Sequence, residues 1–315
     1  MTSTTILCAY ITSLVANLPF SAQRLNVVFD VGAFNGGFGI GVGLFLHELE
    51  KQRKIIVNKV SGCSVGAMIA LWYICGCPLQ PLQHIEQLYA TYQNTGSLAC
   101  FQDILPKFVE DLIRHALYDG ASAADTASAA DTTRASAADT SKLLALINNR
   151  LYINYYDTVR RRQVVRSQFK SVSRLLRYLL RTCHIPFLIN GQATRDRRHL
   201  QSRHLQSRYM NGMLPYFHFP QTVGDKTLTL FVKLVTNNNI LRAFCVKNEP
   251  NLQYRLLVGV NDAYAFFTVG TSDMCSYVEH WPWFKTIYVK MRVSFLLALL
   301  TIITFVLLKI DKYSF

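Results

Sequence analysis

The sequence predicts an α/β fold on a mostly parallel central sheet, followed by a C-terminal transmembrane helix. Three observations carry that expectation. The first third of the chain runs strand, loop, helix, strand, elbow, helix, the order in which a parallel sheet begins. Half of the 315 residues are apolar and only 17% are charged, enough apolar material for a sizeable core and too much for a disordered chain. Finally, Val293 to Leu308 is an uncharged apolar run with Lys290 and Arg292 before it and Lys309 and Lys312 after it.

Taken in order, Thr4 to Phe20 carries no charge. No basic stretch precedes it and no clean small-x-small cleavage site follows, so the segment 1–24 reads equally as packed helix, uncleaved anchor or signal peptide. Leu25 to Phe29 is a β-rich run ending in a glycine-dense loop, Gly32 to Gly43, and Phe38 to Leu49 is expected to be helical. Ile55 to Val60 is a second strand, and Met68 to Cys75 an apolar helix. The hexad Ala-Ser-Ala-Ala-Asp-Thr occurs three times within 121–141, and Arg-His-Leu-Gln-Ser recurs at 198 and 203. Such repeats of small and polar residues cannot bury a face and are expected as surface insertions in a domain spanning 25–290.

Lys142 to Arg181 is helical in pattern, with Val165, Phe169, Val172, Leu176 and Leu179 on one face. Arg166, Lys170, Arg174, Arg177 and Arg181 run beside that face. They read either as the solvated edge of a core helix or as a flank for an anionic membrane surface. Leu228 to Val235 and Leu256 to Val260 are β-rich, and Asp262 to Glu279 is expected to be helical. At about 1.5 Å per residue the run Val293 to Leu308 spans roughly 24 Å. Extension to Ile310 with Lys309 snorkelling brings it nearer to a bilayer core, and Trp281, Trp283, Phe284 and Tyr288 resemble an interfacial belt. The expectation is a tail anchor over 291–315, with the preceding domain facing the cytosol.

The net charge of +14 is local. Between Arg150 and Arg208 fourteen Lys or Arg face two acids, Asp157 and Asp196, and the remainder is nearly neutral. That stretch carries no nucleic-acid reading module, so no nucleic-acid partner is expected. Eight cysteines are too sparse for a disulfide scaffold, and Cys75-Gly-Cys77 lacks the spacer of redox and zinc motifs. Neither a metal nor a cofactor is implied.

The chemistry concentrates at Gly62-Cys-Ser64-Val-Gly66, a G-x-S-x-G pentapeptide after a strand and before a helix. There a tight turn lifts the Ser64 hydroxyl at the positive end of the helix. About thirty residues upstream, backbone N–H groups of the glycine loop are placed to face a developing oxyanion. No dinucleotide fingerprint and no P-loop fits the same glycines.

These segments resemble the patatin-like phospholipase family. Phe29-Asp-Val-Gly-Ala-Phe-Asn-Gly36 with Ile40-Gly-Val42 is similar to the family's oxyanion loop and helix, and Val60 to Ala67 to its nucleophile elbow. Thr182-Cys-His-Ile-Pro-Phe187 resembles a later Ser-x-x-Pro strand end, and Tyr209-Met-Asn211-Gly212-Met213 lies where the family carries an Asp-Gly motif. The resemblance implies a three-layer sandwich and hydrolysis of lipid acyl esters at a membrane surface. It implies Ser64 as nucleophile, Gly32, Ala33, Asn35 and Gly36 around the oxyanion hole, Gly62 and Gly66 at the elbow, and no histidine. Val31 and Ala33 depart from the family's glycines. Asn211 replaces the dyad Asp, and an amide can orient the serine hydroxyl but cannot take its proton. The leading expectation is a lipid acyl hydrolase, and the rival is a patatin-like protein that binds lipid or a partner without turnover. A conventional Ser-His-Asp site would need a late histidine, His218 or His280. Asp30 and Asp225 are the other carboxylates to consider.

Overall fold

A computed structural model describes residues 3–19, 23–118, 137–157, 159–185, 189, 195–196, 208–212, 214–218, 226–236, 243, 252–287, 291, 294–295, 298 and 302. The elements in chain order are α1 (Ser3–Ala16), β1 (Gln23–Phe29), α2 (Gly36–Lys51), β2 (Ile55–Gly62), α3 (Val65–Ile74), α4 (Gln83–Thr95), α5 (Phe101–Tyr118) and α6 (Ala137–Ile147). They continue as β3 (Leu151–Asp157), β4 (Arg162–Arg166), α7 (Val172–Thr182), β5 (Arg195–Asp196), β6 (Arg208–Asn211), β7 (Leu228–Val232), α8 (Leu252–Val269) and β8 (Cys275–Tyr277).

The eight strands form one sheet in the order β5-β6-β3-β2-β1-β7-β8, with β4 paired to β3. Its centre is parallel: β1 pairs in parallel with β2 and β7, and β2 with β3. The expected α/β fold with a mostly parallel sheet is what the chain adopts. Paired residues share a face, so the register sorts the sheet into two sides. Val27, Phe29, Val60, Ile153, Leu230 and Val232 face the helices and join the main core. Val28, Ser61, Tyr152 and Phe231 face the other way. There Tyr216 and His218 pack on Tyr152, while Phe217 and Trp281 pack on Phe231.

The register also positions Asn211. Ile153 pairs with both Gly62 and Arg166, and Tyr155 with both Asn211 and Val164. β4 therefore holds one edge of β3, while β2 and then β6 follow each other along the opposite edge. Asn211 lies in line just beyond the end of β2, where the elbow begins.

Much of the glycine-dense stretch is helix rather than loop, because α8 crosses α2 backbone to backbone. A Cβ on Gly41 would lie 2.1 Å from the Leu256 carbonyl oxygen, and one on Gly259 would lie 2.0 Å from that of Phe38. At the N-terminus, α1 docks with Ile11 and Val15 buried in the core. Lys54 Nζ donates to the Val15 carbonyl at 2.6 Å and to that of Leu18, neutralising the negative end of α1. Thr4 to Ala16 is thus a packed helix.

Several sequence expectations need correction. Lys142 to Arg181 is helix, two antiparallel strands and helix, because Tyr152, Ile153, Tyr155 and Tyr156 favour a strand and Ser171 caps a new helix by accepting from the Arg174 N–H at 3.2 Å. Leu256 to Val260 lies inside α8, since a short apolar run does not distinguish strand from helix by itself. Asp262 to Glu279 is the end of α8 followed by β8. The third hexad enters α6 from Ala137, and 121–136 lies outside the described residues, as does the second repeat up to Ser207.

The transmembrane helix over Val293 to Leu308, and the tail-anchored localisation drawn from it, are also corrected. Among the described residues no helix is long and apolar enough to cross a membrane. Most of the run lies outside the described residues; Ser294, Phe295, Ala298 and Ile302 are helical and exposed. Length is the physical reason: sixteen uncharged residues reach only about 24 Å of a hydrocarbon core about 30 Å thick. Trp281, read as part of an interfacial belt, instead packs on the sheet and donates from its indole N–H to Ser276 Oγ at 3.0 Å.

Candidate active site

The elbow is built by close approach. A Cβ on Gly62 would lie 2.1 Å from the Gly66 carbonyl oxygen, and one on Gly66 would lie 2.4 Å from that of Asp30. The turn between them forces Ser64 to φ 57 and ψ −132, a conformation that non-glycine residues rarely hold. Support comes from α7. The Ser64 N–H donates to Thr182 Oγ1 at 2.9 Å, and the Thr182 hydroxyl donates to the Asn154 carbonyl at 2.6 Å.

Ser64, 5% exposed, lines an apolar pocket of about 750 Å³ including its mouth. Val65, Met68, Ile69 and Trp72 from α3, Ile85, Leu88 and Tyr89 from α4, and Phe101 and Phe108 from α5 make half of the wall. Two helix N-termini converge on the serine: a Cβ on Gly36, first residue of α2, would lie 2.7 Å from Val65 Cγ2, on the first residue of α3. The first turns of α2 and α3 therefore lie against each other beside Ser64, and each helix is positive at that end.

The residues expected around an oxyanion hole divide by what they contact. Ala33 (φ 46) and Phe34 line the pocket beside Ser64. The Asn35 N–H donates to the Gly32 carbonyl at 2.8 Å and Asn35 Nδ2 to the Leu234 carbonyl at 3.0 Å, so Asn35 holds the turn from inside. The Phe34 carbonyl accepts from Tyr89 OH at 2.6 Å and from the guanidinium of Arg255. Arg255, 1% exposed on α8, also donates to Asn35 Oδ1 at 3.5 Å.

Asn211 reaches the elbow through the residue before the serine: Cys63 Sγ–H donates to Asn211 Oδ1 at 3.4 Å. Burial, with the Asp30 charge nearby, pushes the Cys63 thiol up to about 12, so it remains a donor at neutral pH. The Asn211 N–H donates to the His184 carbonyl at 3.0 Å. Among the described residues no hydrogen bond reaches the Ser64 hydroxyl. His218 sits on the opposite face of the sheet with Tyr152 and Tyr216, and His280 is exposed beside Tyr277. Asp30 is buried at the elbow, and Asp225 lies outside the described residues. Among the described residues no cluster of three or more His, Cys, Asp or Glu is placed to hold a metal ion.

Sequence reasoning missed the roles of Thr182, Tyr89 and Arg255. Thr182 opens the segment Thr182 to Phe187, where sequence alone gives its hydroxyl no role. Arg255 carried one signal, a single cation beside the apolar run Leu256 to Val260.

The chain thus sets Ser64 at a strand-to-helix elbow beside an apolar pocket on a mixed α/β sheet. A family model described as patatin-like phospholipase matches residues 27–216, more than half of the chain, and this chain belongs to the patatin-like phospholipase family. No curated protein and no solved structure matches it. The matched region holds the elbow, the segment Gly32 to Gly36 and Asn211, while Arg255 lies beyond it.

Proposed function

We propose that the protein is a lipid acyl-ester hydrolase in which Ser64 is the nucleophile and the apolar pocket holds the acyl chain. The observation that carries this reading is Ser64 itself, strained at the elbow, between two helix N-termini, at an otherwise apolar wall. Ser64 Oγ bonds to the ester carbonyl carbon, the carbonyl electron pair moves to oxygen, and the N–H groups around Gly32, Ala33 and Gly36 receive that charge. The serine proton must leave as the C–O bond forms. Asn211 cannot accept it, so turnover is slow unless a carboxylate such as Asp30 serves.

The amide at 211, bonded to Cys63 rather than to the serine hydroxyl, favours a second reading: lipid is bound without turnover. Turnover of fluorogenic esters and phospholipids by the full chain, beside Ser64→Ala and Asn211→Asp, separates the two. The hydrolase reading expects a weak activity abolished by Ser64→Ala and raised by about 10³-fold in Asn211→Asp. No activity in either the native chain or Asn211→Asp supports the binding reading.

The exposed side chains of Arg166, Lys170, Arg174 and Arg177 form a basic face suited to an anionic lipid surface. Arg181 is withdrawn from that flank, because it is buried. Binding to anionic vesicles is expected to weaken steeply with salt, since exposed charges are screened within about 8–10 Å. Equal binding to neutral vesicles contradicts this role.

A further inference from the structure

Two guanidiniums and three phenols meet beside the elbow on the helix-facing side of β3. Arg181, 7% exposed in the last turn of α7, lies over the rings of Tyr209 at 3.7 Å, Tyr155 at 5.4 Å and Tyr178 at 5.6 Å. Among the described residues its one side-chain hydrogen bond, to Tyr155 OH, is long at 3.4 Å. Arg166, exposed on β4, lies over the same Tyr178 ring at 5.8 Å.

Among the described residues no carboxylate oxygen lies within 4 Å of either guanidinium, although the buried Asp157, paired with Tyr209, is on the same face. The ion pairs among the described residues are Lys51–Glu48, His84–Asp111 and Arg114–Asp111, all elsewhere. Asp157, at the end of β3, commits Oδ1 to the N–H groups of Val159 and Arg160. A guanidinium carries five donors, and burying its charge without an anion is costly. Ring faces offset part of that cost, but a second guanidinium over one of the rings adds repulsion. Such a group is incomplete without an anion, and exposed Arg166 provides the approach.

Its place relates it to the serine. Tyr155 pairs with Asn211 and Asp157 with Tyr209, so the side chains of Tyr155, Tyr209 and Asn211 share a face. Thr182, next to Arg181, holds the Ser64 N–H. The apolar pocket is lined by other residues.

We propose that Arg166 and Arg181, with the hydroxyls of Tyr155, Tyr178 and Tyr209, form an anion subsite that takes a phosphate group. The planar fork of arginine matches phosphate oxygens two at a time, and phenols supply further donors. The subsite stands independently of turnover at Ser64. The phosphate is either free or part of a glycerophosphodiester headgroup, and the two sources are distinguished by binding.

The test is titration of the folded full chain at about 0.15 M ionic strength with inorganic phosphate and, separately, with glycerophosphocholine, followed by calorimetry. Saturable binding of either is expected; a preference for the diester assigns the headgroup, and a preference for the monoanion or dianion assigns free phosphate. Arg166→Gln, at an exposed position, is expected to weaken binding by about tenfold or more. The double variant Arg160→Gln with Arg161→Gln, at exposed positions of the β3–β4 turn, is expected to leave it within about twofold, since screened surface cations contribute little. Absence of saturable binding, an unchanged affinity in Arg166→Gln, or an equal loss in the double variant overturns the subsite; the last result assigns any binding to a diffuse basic face.

Discussion

Ser64 holds its backbone at φ 57 because Gly62, Gly66 and the Asp30 carbonyl leave the turn no other path. Strain of this kind costs about 1–3 kcal/mol, and the Thr182 bridge between Ser64 and Asn154 helps to hold it. The serine was legible in the sequence, because the elbow is a local pattern between a strand and a helix. Thr182 and Arg255 were not, because packing alone brings them to the elbow and the loop. His218 shows the same limit from the other side. It read as a possible catalytic base, yet it is buried across the sheet. Burial, with Lys59 beside it, lowers its pKa from the ordinary 6.5 to about 4. The folded chain then resists a proton that the unfolded chain takes up at 6.5, so stability present above 6.5 falls as pH drops from 6.5 toward 4. The loss reaches about 3 kcal/mol at most. His218→Phe keeps the ring contacts and is expected to flatten that dependence, measured as denaturation midpoints between pH 7 and 4; an unchanged slope contradicts the account.

The elements show where periodicity suffices and where it fails. β1, α2, β2 and α3 were legible because local order and tertiary order coincide in a parallel α/β start. The hairpin β3–β4 was hidden within an apparent helix, where apolar residues at helical spacing happened to span a strand, a turn and a new N-cap. The α2–α8 crossing was equally hidden, since the glycines that permit it read as a loop. Gly41→Ala is expected to destabilise the protein by about 3 kcal/mol, because its Cβ meets the Leu256 backbone rather than a side chain that can turn aside. Chemical denaturation measures this. A loss below about 0.5 kcal/mol, the range of ordinary surface changes, contradicts backbone contact at the crossing.

At the scale of the molecule, the family landmarks fall where the sheet brings β2, β3 and β6 together, although they are far apart in sequence. The order of landmarks was therefore enough to read the fold and place Asn211 beside the elbow. It was not enough to say what Asn211 touches, which depends on a side-chain contact with Cys63. The C-terminal run misled because composition alone does not supply the length that crossing a bilayer demands. The charge excess collects around β4 and α7, where part of it is exposed and part is enclosed by tyrosines.

The central claim is that Ser64 is a nucleophile presented to the acyl pocket, and covalent capture tests it most directly. The folded chain is treated with an alkyl fluorophosphonate and the adduct is mapped by mass spectrometry, with Ser64→Ala and Asn211→Asp alongside. A single adduct on Ser64 is predicted, absent from Ser64→Ala and formed faster in Asn211→Asp. No adduct in either the native chain or Asn211→Asp, with both folded, contradicts it.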